Sequence, residues 1–384
     1  MRSNITYKRL SAICKVQNGF AFDSKLFTTD SNDMPLVRIR DIKTGATETF
    51  YKGAYSPEYI LKNGDYIIGM DGEFNITEWN GGQALLNQRV CRVSITSEDV
   101  LPKYLLYFLP IPLKQIEDET PFVTVKHLSS KKLNDILVPI PSLSEQSRIV
   151  SELDLLSSVV SNKDSQIHYL DDLAVSIFYE MFGNPYNNVR WPEKTVEDCF
   201  SSIKNGANIK QTKGALGFPI TRIETLSNGV FNRDRMGFAD VFDIERYQSF
   251  LLKDGDILMS HINSKTYIGR SVVYRSAPGE MIIHGMNLLR LVSKNDVILP
   301  VYAKFFFDTP FFKDQVASIR KDAVNQSSMA VGDLKRLKIA VPPIKIQQQF
   351  VDKVNAIHSY QELIHTSLLD AKKLLESRLD RWFK

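Results

Sequence analysis

The side chains best suited to recognition chemistry fall in a few polar clusters. Arg38, Arg40 and Lys43 surround the end of an expected strand, and Asn87, Gln88 and Arg89 stand together in a β-rich run. Further along come Arg222 and then Asn263, Ser264, Lys265 and Arg270, the last four in a loop containing glycine and serine between expected strands. Arg, Asn and Gln can form paired hydrogen bonds with nucleobase edges, whereas Lys mainly attracts phosphate. A second basic group, Lys126, Lys131 and Lys132, corresponds loosely to Lys335, Arg336 and Lys338 and suits phosphate anchoring. Taken singly, each of these residues reads equally well as an ordinary solvated charge, so only their repeated arrangement carries weight.

Catalytic signatures are missing. The sequence has no G-x-x-x-x-G-K-[ST] phosphate loop, and Glu-x-Lys, the common spacing of a nuclease carboxylate and its lysine, occurs nowhere. Asn184-Pro185-Tyr186 lacks the second proline of an amino-methyltransferase motif and reads as a helix stop. His127, His168, His261, His284, His358 and His365 show no compact metal-ligand spacing. Cys14, Cys91 and Cys199 are too scattered for a disulfide framework or a metal knuckle. Neither a catalytic residue nor a bound metal or cofactor is therefore expected on this chain.

The elements that would position the polar clusters are written twice. Ile136–Val150 and Leu337–Val351 align at a displacement of 201, which superposes Pro141 on Pro342, Gln146 on Gln347 and Val150 on Val351. An apolar seam follows in steps of four and three: Ile149, Leu153, Leu156, Val160, Lys163, Ile167, Leu170, Ala174, Ile177 and Met181. The same displacement gives Phe350, Val354, Ile357, Gln361, Ile364, Leu368, Ala371, Leu375, Arg378 and Trp382, with Phe182 and Phe383 next in line. That spacing belongs to a coiled-coil seam, and each rod would be roughly 50 Å long. Two such seams can bury each other as an antiparallel pair; the alternative is that each helix packs on its own globular domain. Ser144 is the expected N-cap of the first helix, and Gly183-Asn184-Pro185 its stop.

Weaker matches lie upstream. Gln17-Asn18-Gly19 pairs with Lys204-Asn205-Gly206, Pro35–Ile39 with Pro219–Ile223, and Lys62-Asn63-Gly64-Asp65 with Lys253-Asp254-Gly255-Asp256. Their displacements of 187, 184 and 191 differ, as expected for loops of unequal length on one scaffold. Short β-rich runs such as Tyr66–Gly69 and Ile257–Ser260 precede helical segments at Leu101–Leu109 and Val301–Phe307. The expected fold is α+β: two similar globular domains separated by two long antiparallel helices, with internal pseudo-symmetry. The expected segments are 1–144, 145–183, 184–345 and 346–384.

The 384 residues, 43% hydrophobic and 24% charged, suit a globular protein of two or three domains. The sequence contains no apolar run long enough for a membrane span, and Met1–Ile13 lacks the apolar core of a signal peptide, which points to the cytoplasm. The net charge of +4 is unevenly spread: residues 145–183 carry net −5 and 346–384 net +1, leaving +8 on the globular parts. A basic globular surface beside an acidic helix suits phosphate contact on one part and a basic partner on the other.

With these features in place, the chain resembles the specificity subunit of a type I restriction-modification system over nearly its full length. The resemblance rests on Lys62-Asn63-Gly64-Asp65, Leu85-Leu86-Asn87-Gln88-Arg89-Val90, Val138-Pro139-Ile140-Pro141 with Glu145-Gln146, and Met181-Phe182-Gly183-Asn184-Pro185. The second copy adds Gly255-Asp256-Ile257-Leu258 and Val341-Pro342-Pro343 with Gln347-Gln348, but carries Ile346 where the first has Glu145. The resemblance implies two target-recognition domains, each reading half of a split double-stranded DNA sequence. It further implies spacer helices that set the gap between the halves and dock partners. Those partners would be two modification subunits, bringing S-adenosylmethionine for adenine methylation, and restriction subunits that use ATP and Mg to translocate and cleave DNA. A scaffold bridging two protein partners is the rival reading; the uneven basic charge and the Arg/Asn/Gln-rich loops favour DNA.

Overall fold

The structure is a computed structural model and describes residues 5–120, 126–211, 217–323 and 326–383. The chain forms two compact units, one made of residues up to Asp164 together with those from His365, the other of Ser165–Ile364. These units cut across the four expected segments, because each takes part of both long helices, Leu143–Phe182 and Ile344–Phe383. Among the described residues no helix is long and apolar enough to cross a membrane.

Each unit is built on the same antiparallel four-stranded sheet. In the first unit the spatial order is Cys14–Asn18, Val90–Ile95, Tyr66–Gly69, Ile76–Glu78; in the second it is Phe200–Asn205, Leu288–Ser293, Ile257–Ser260, Ser271–Val273. A separate strand pair closes each unit, Thr6–Arg9 on Leu137–Ile140 and Glu193–Thr195 on Lys338–Ala340. Helices Pro102–Phe108 and Pro110–Glu119 in one unit match Pro300–Asp308 and Pro310–Ile319 in the other.

The inner strands read as continuous apolar runs because they are buried on both faces. Ile68 packs into the core beneath the helices with Leu105 and Leu153, while its neighbour Ile67 faces a second core with Leu61 and Trp79. In the other unit Ile257 and Met259 face Phe306 and Phe350, and Leu258 faces Tyr274 and Ile282.

The repeated motifs of the sequence build repeated joints. Gly64 and Gly255 take φ of +90° and +85°, left-handed values that glycine adopts without a Cβ clash. Their following aspartates close the turn: Asp65 Oδ2 accepts from the Lys62 N–H at 2.8 Å, and Asp256 Oδ2 from the Lys253 N–H at 2.9 Å. Half-buried Arg92 and Arg290 tie that turn to the sheet, the first donating to the carbonyls of Glu58 and Ile60, the second to those of Ser249 and Leu251. Gln146 and Gln347 are wholly buried and make the same three bonds. Gln146 accepts from Leu101 N–H and donates to the carbonyls of Asp99 and Pro141; Gln347 accepts from Leu299 N–H and donates to those of Val297 and Pro342.

The long helices carry their seam as the spacing predicts. Ile149, Leu153, Val354, Ile357, Ile364 and Leu368 are buried, and Leu156, Val160, Ile167, Leu170, Ile177 and Leu375 are half-buried. Within the first unit, Glu152 receives Arg378 Nε at 3.0 Å and Trp382 Nε1 at 3.2 Å, while Arg148 lies 4.7 Å over the Trp382 ring. Within the second, Gln361 donates to Asp171 Oδ1 at 2.7 Å, and the Phe350 ring stands 5.6 Å from Phe178 and 5.3 Å from Phe182. In both units, residues later in one helix meet residues earlier in the other, so the segments run antiparallel. The polar seam positions Gln361 and Arg378 are thus partnered and fix the register.

One expected detail is corrected. The first helix begins at Leu143, and Ser142 rather than Ser144 caps it, its hydroxyl accepting from the Glu145 N–H at 3.3 Å. Ser144 lies inside the first turn, where its own N–H has no intrahelical acceptor and its side chain cannot cap. Gly183, at φ +80°, ends the helix as expected. Ser142→Ala is expected to lower the stability of the first unit by about 1 kcal/mol, whereas Ser144→Ala should change it by a few tenths at most. Chemical denaturation of the two variants tests this, and an equal loss for both would remove the cap assignment.

Candidate nucleic-acid interface

In the first unit, strand Met34–Val37 delivers Arg38 and Arg40 to one wall of an open groove of about 860 Å³. The turn after the strand is fixed by Asp41, whose carboxylate accepts from the Arg38 N–H at 2.8 Å. Arg38 lies 5.9 Å over the Phe27 ring, and Arg40 donates to Thr49 Oγ1 at 2.9 Å. Lys52, Glu48 and Phe50 complete the groove. Its inventory of two guanidinium forks, a carboxylate acceptor, hydroxyls and a lysine covers donors and acceptors for base edges and a cation for phosphate. Lys43 points elsewhere and pairs with Glu73.

The Asn87-Gln88-Arg89 turn divides. Asn87 is 7% exposed, packed where the Gly19 backbone approaches so closely that a Cβ on Gly19 would fall 2.1 Å from the Asn87 carbonyl oxygen. Its side chain is therefore inside the joint and does not face solvent as a base reader must. Gln88 and Arg89 are exposed. Arg89 has φ +77°, the one left-handed non-glycine among the described residues, and pairs with Asp71 at 2.9 Å. His127 Nδ1 lies 2.6 Å from the same carboxylate. Lys126 donates to the Glu117 carbonyl at 2.6 Å, and Lys131 is exposed on the short helix Ser130–Asn134.

In the second unit, Arg222 is half-buried against Gln211. Asn263 sits on a two-residue strand paired with Ser327–Ser328, donates to Ser260 Oγ at 3.2 Å and accepts from the Ser264 N–H at 2.7 Å. Ser264 and Lys265 are exposed, and Lys265 approaches Asp322 at 3.6 Å. The Arg320 guanidinium holds the Asp322 carboxyl down at about 2, with Ser327 helping. Arg270 stacks 4.3 Å over Tyr267. Lys265 and Arg270 share a cleft of about 1040 Å³ with Arg275, Lys304, Lys313 and Arg320, four cations that sequence reasoning did not single out. Lys335 pairs with Glu197 at 2.9 Å and Arg336 with Asp333. Among the described residues no group of His, Cys, Asp and Glu is arranged to hold a metal ion.

Two of the cations that sequence reading missed, Lys304 and Lys313, come from helices Pro300–Asp308 and Pro310–Ile319, whose pattern signals only an apolar inner face. Lys52 and Glu48 carried no motif at all. Only the folded sheet brings them beside Arg38 and Arg40.

Residues 2–168 and 188–371 each match the type I restriction modification DNA specificity domain. The EcoBI specificity subunit of Escherichia coli is 25% identical over 98% of this chain and 84% of its own length. A putative type I restriction enzyme MjaX specificity subunit of Methanocaldococcus jannaschii is 39% identical over a shorter stretch, 41% of this chain and 37% of its own. The crystal structure of the type I restriction-modification S subunit from M. genitalium shares the fold at a TM-score of 0.55, with 14% identity over 100% of this chain and 97% of that one. Two family matches on two copies of one scaffold identify the chain: it belongs to the type I restriction-modification DNA specificity family, as a non-catalytic specificity subunit whose system carries its catalysis in other subunits.

Proposed function

We propose that each unit reads one half of a split duplex target, and that the chain thereby positions modification and restriction subunits on DNA. The observation that supports this most directly is the duplicated sheet carrying unlike inserts. The first unit adds a five-stranded sheet whose strands include Phe27–Thr28, Met34–Val37 and Phe50–Tyr51, whereas the second adds the pairs Phe218–Ile220 with Gly237–Ala239 and Ile262–Asn263 with Ser327–Ser328. A constant scaffold with different reading surfaces is what two unlike half-sequences require. In this reading Arg38, Arg40, Gln88 and Arg89 serve one half, and Asn263 and Ser264 read the other, with Lys265 and Arg270 beside them holding its backbone. Lys126, Lys131, Lys335 and Arg336 are peripheral phosphate anchors. S-adenosylmethionine belongs to two modification subunits, and ATP with Mg to restriction subunits.

Methylome sequencing of cells carrying the chain with its modification partner should reveal a methylated motif in two parts. Replacing Arg38 and Arg40 by alanine should relax one part only, at about 1–3 kcal/mol for each base edge that is no longer bonded. An undivided motif, or equal loss at every position of both parts, would overturn the reading. Methyl transfer by the chain free of partners would equally count against it.

A further inference from the structure

The cleft of the second unit, about 1040 Å³, is larger than the groove of the first, about 860 Å³, and more unequally charged. Its lining holds six cations, Lys265, Arg270, Arg275, Lys304, Lys313 and Arg320, against two carboxylates, Asp171 and Asp308. One wall comes from the recognition insert and its neighbouring helices, the other from the long helices through Asp171, Val175, His358 and Gln361.

Both carboxylates are already committed, Asp171 to Gln361 at 2.7 Å and Asp308 to Lys304 at 2.8 Å. Lys265 and Arg275 are held only by loose pairs with acids outside the lining, at 3.6 Å each, and such pairs are worth little in water. Arg270 and Lys313 have no carboxylate partner among the described residues. A positive cleft between low-dielectric walls concentrates its field on an anion.

The scaffold itself does not need these charges. Register on the shared sheet places Asn75 of the first unit where the second has Arg270, and Asn80 where it has Arg275. Tyr104 and Tyr302 make the same hydroxyl bond to the strand before each long helix, which places Leu106 opposite Lys304. The first unit builds the same sheet and helices with neutral side chains at all three positions, so the shared scaffold does not require a cation at any of them.

Resting on the reading of this unit as a DNA reader, we propose that the cleft seats a run of backbone phosphates of the duplex. The chemistry favours phosphate over base edges: three of the six cations are lysines, which act as point charges, and Asn263 and Ser264, the residues suited to bases, stand just outside the lining. Continuity with that insert also favours duplex DNA over an acidic segment of a partner protein.

The test is the salt dependence of duplex binding by the full chain assembled with its modification subunits. A long mixed-sequence duplex serves as the probe, so that no target sequence need be known. Each phosphate left without its cation should flatten the slope of log K against log salt by about 0.9. Arg270→Gln, Lys304→Gln and Lys313→Gln, singly and together, are expected to flatten it stepwise, with affinity falling alike on the split target and on mixed sequence. Asn75→Gln and Asn80→Gln should leave it alone. Unchanged slopes in variants that still bind would overturn the cleft proposal while leaving the DNA-reading function intact. Failure of the unaltered assembly to bind any duplex would instead overturn the function. A changed base preference would show that the cleft reads bases, and loss of modification-subunit assembly at unchanged slope would show a protein docking site; either result overturns the proposal. Thermal melting of each variant separates misfolding from a missing phosphate anchor, and a variant that melts early is replaced by the matching Lys→Arg or Arg→Lys change, which should restore the slope.

Discussion

Gln347→Leu is expected to destabilise the second unit by about 3–6 kcal/mol, a loss larger than most single substitutions cause. The side chain is wholly buried and joins three backbone groups from two elements: the Leu299 N–H, the Val297 carbonyl and the Pro342 carbonyl. Leucine fills nearly the same volume, so the cost is not a cavity. It is three buried polar groups left without partners, at about 1–3 kcal/mol each before relaxation. Gln146→Leu should act in the same way on the first unit, through Leu101, Asp99 and Pro141. Hydrogen exchange can localise each effect, with Gln347→Leu raising exchange around residues 297–299 and 338–350 and leaving the first unit protected. A loss below about 1 kcal/mol would mean that water or a small backbone shift satisfies these groups, and the joint would then be ordinary packing.

That glutamine shows how much of the architecture was legible. Its repetition at a displacement of 201 was visible, because both copies of the scaffold need the same joint; the bonds that explain the repetition were not. The turns at Gly64 and Gly255 were legible down to their mechanism, since glycine followed by aspartate has few local uses. The coiled-coil seam was legible as well, because a period of about 3.5 is a property of the paired helix itself. The sequence offered no sign of the division at Asp164 and Ser165. The period runs on unbroken while the elements packed against it change.

The candidate interface was less legible, and for a physical reason. Residue type reports what a side chain can do, whereas exposure is decided by strands and helices far away in sequence. Asn87 has the right chemistry for an adenine edge, yet the close approach of Gly19 buries it. Lys304 and Lys313 had no recognisable motif, yet two helices bring them into one cleft with Arg270. Arg38 and Arg40 were found because they follow one strand directly, and the groove they share is largely local in sequence, between residues 27 and 52.

The second unit is expected to weaken in mild acid while the first is spared, and His284 is the main reason. The ring is 1% exposed, and its Nε2–H donates to the Leu288 carbonyl at 2.9 Å, which fixes the neutral form with the proton on that nitrogen. Burial, aided by the positive charge of Arg290 and by His261 nearby, pushes its pKa down to about 4. In the unfolded chain the same imidazole titrates near about 6.5. Between these values the unfolded state binds a proton that the folded state refuses, so the contribution is whole above about pH 6.5 and is lost as pH falls towards about 4. A difference of this size corresponds to about 3 kcal/mol. His261, 4% exposed and with no hydrogen-bond partner on Nδ1 among the described residues, is shifted in the same direction and adds to the effect. Glu280 adds little within that window, because its bonds with Arg233, Tyr274 and the Ala277 N–H hold it down at about 2, so its contribution starts to fall only near the unfolded carboxyl value of about 4.3 and is lost as pH drops on towards about 2. The first unit has no counterpart, since its described histidine outside the long helices, His127, is half exposed beside Asp71. Denaturant unfolding monitored by hydrogen exchange from about pH 7 to about 4.5 should show protection in the second unit falling steadily. His284→Gln, which keeps a donor for the Leu288 carbonyl but cannot take up the proton, should remove most of one proton from that pH dependence. If His284→Gln weakened with pH as steeply as the unaltered chain, the buried imidazole would not be the group that titrates.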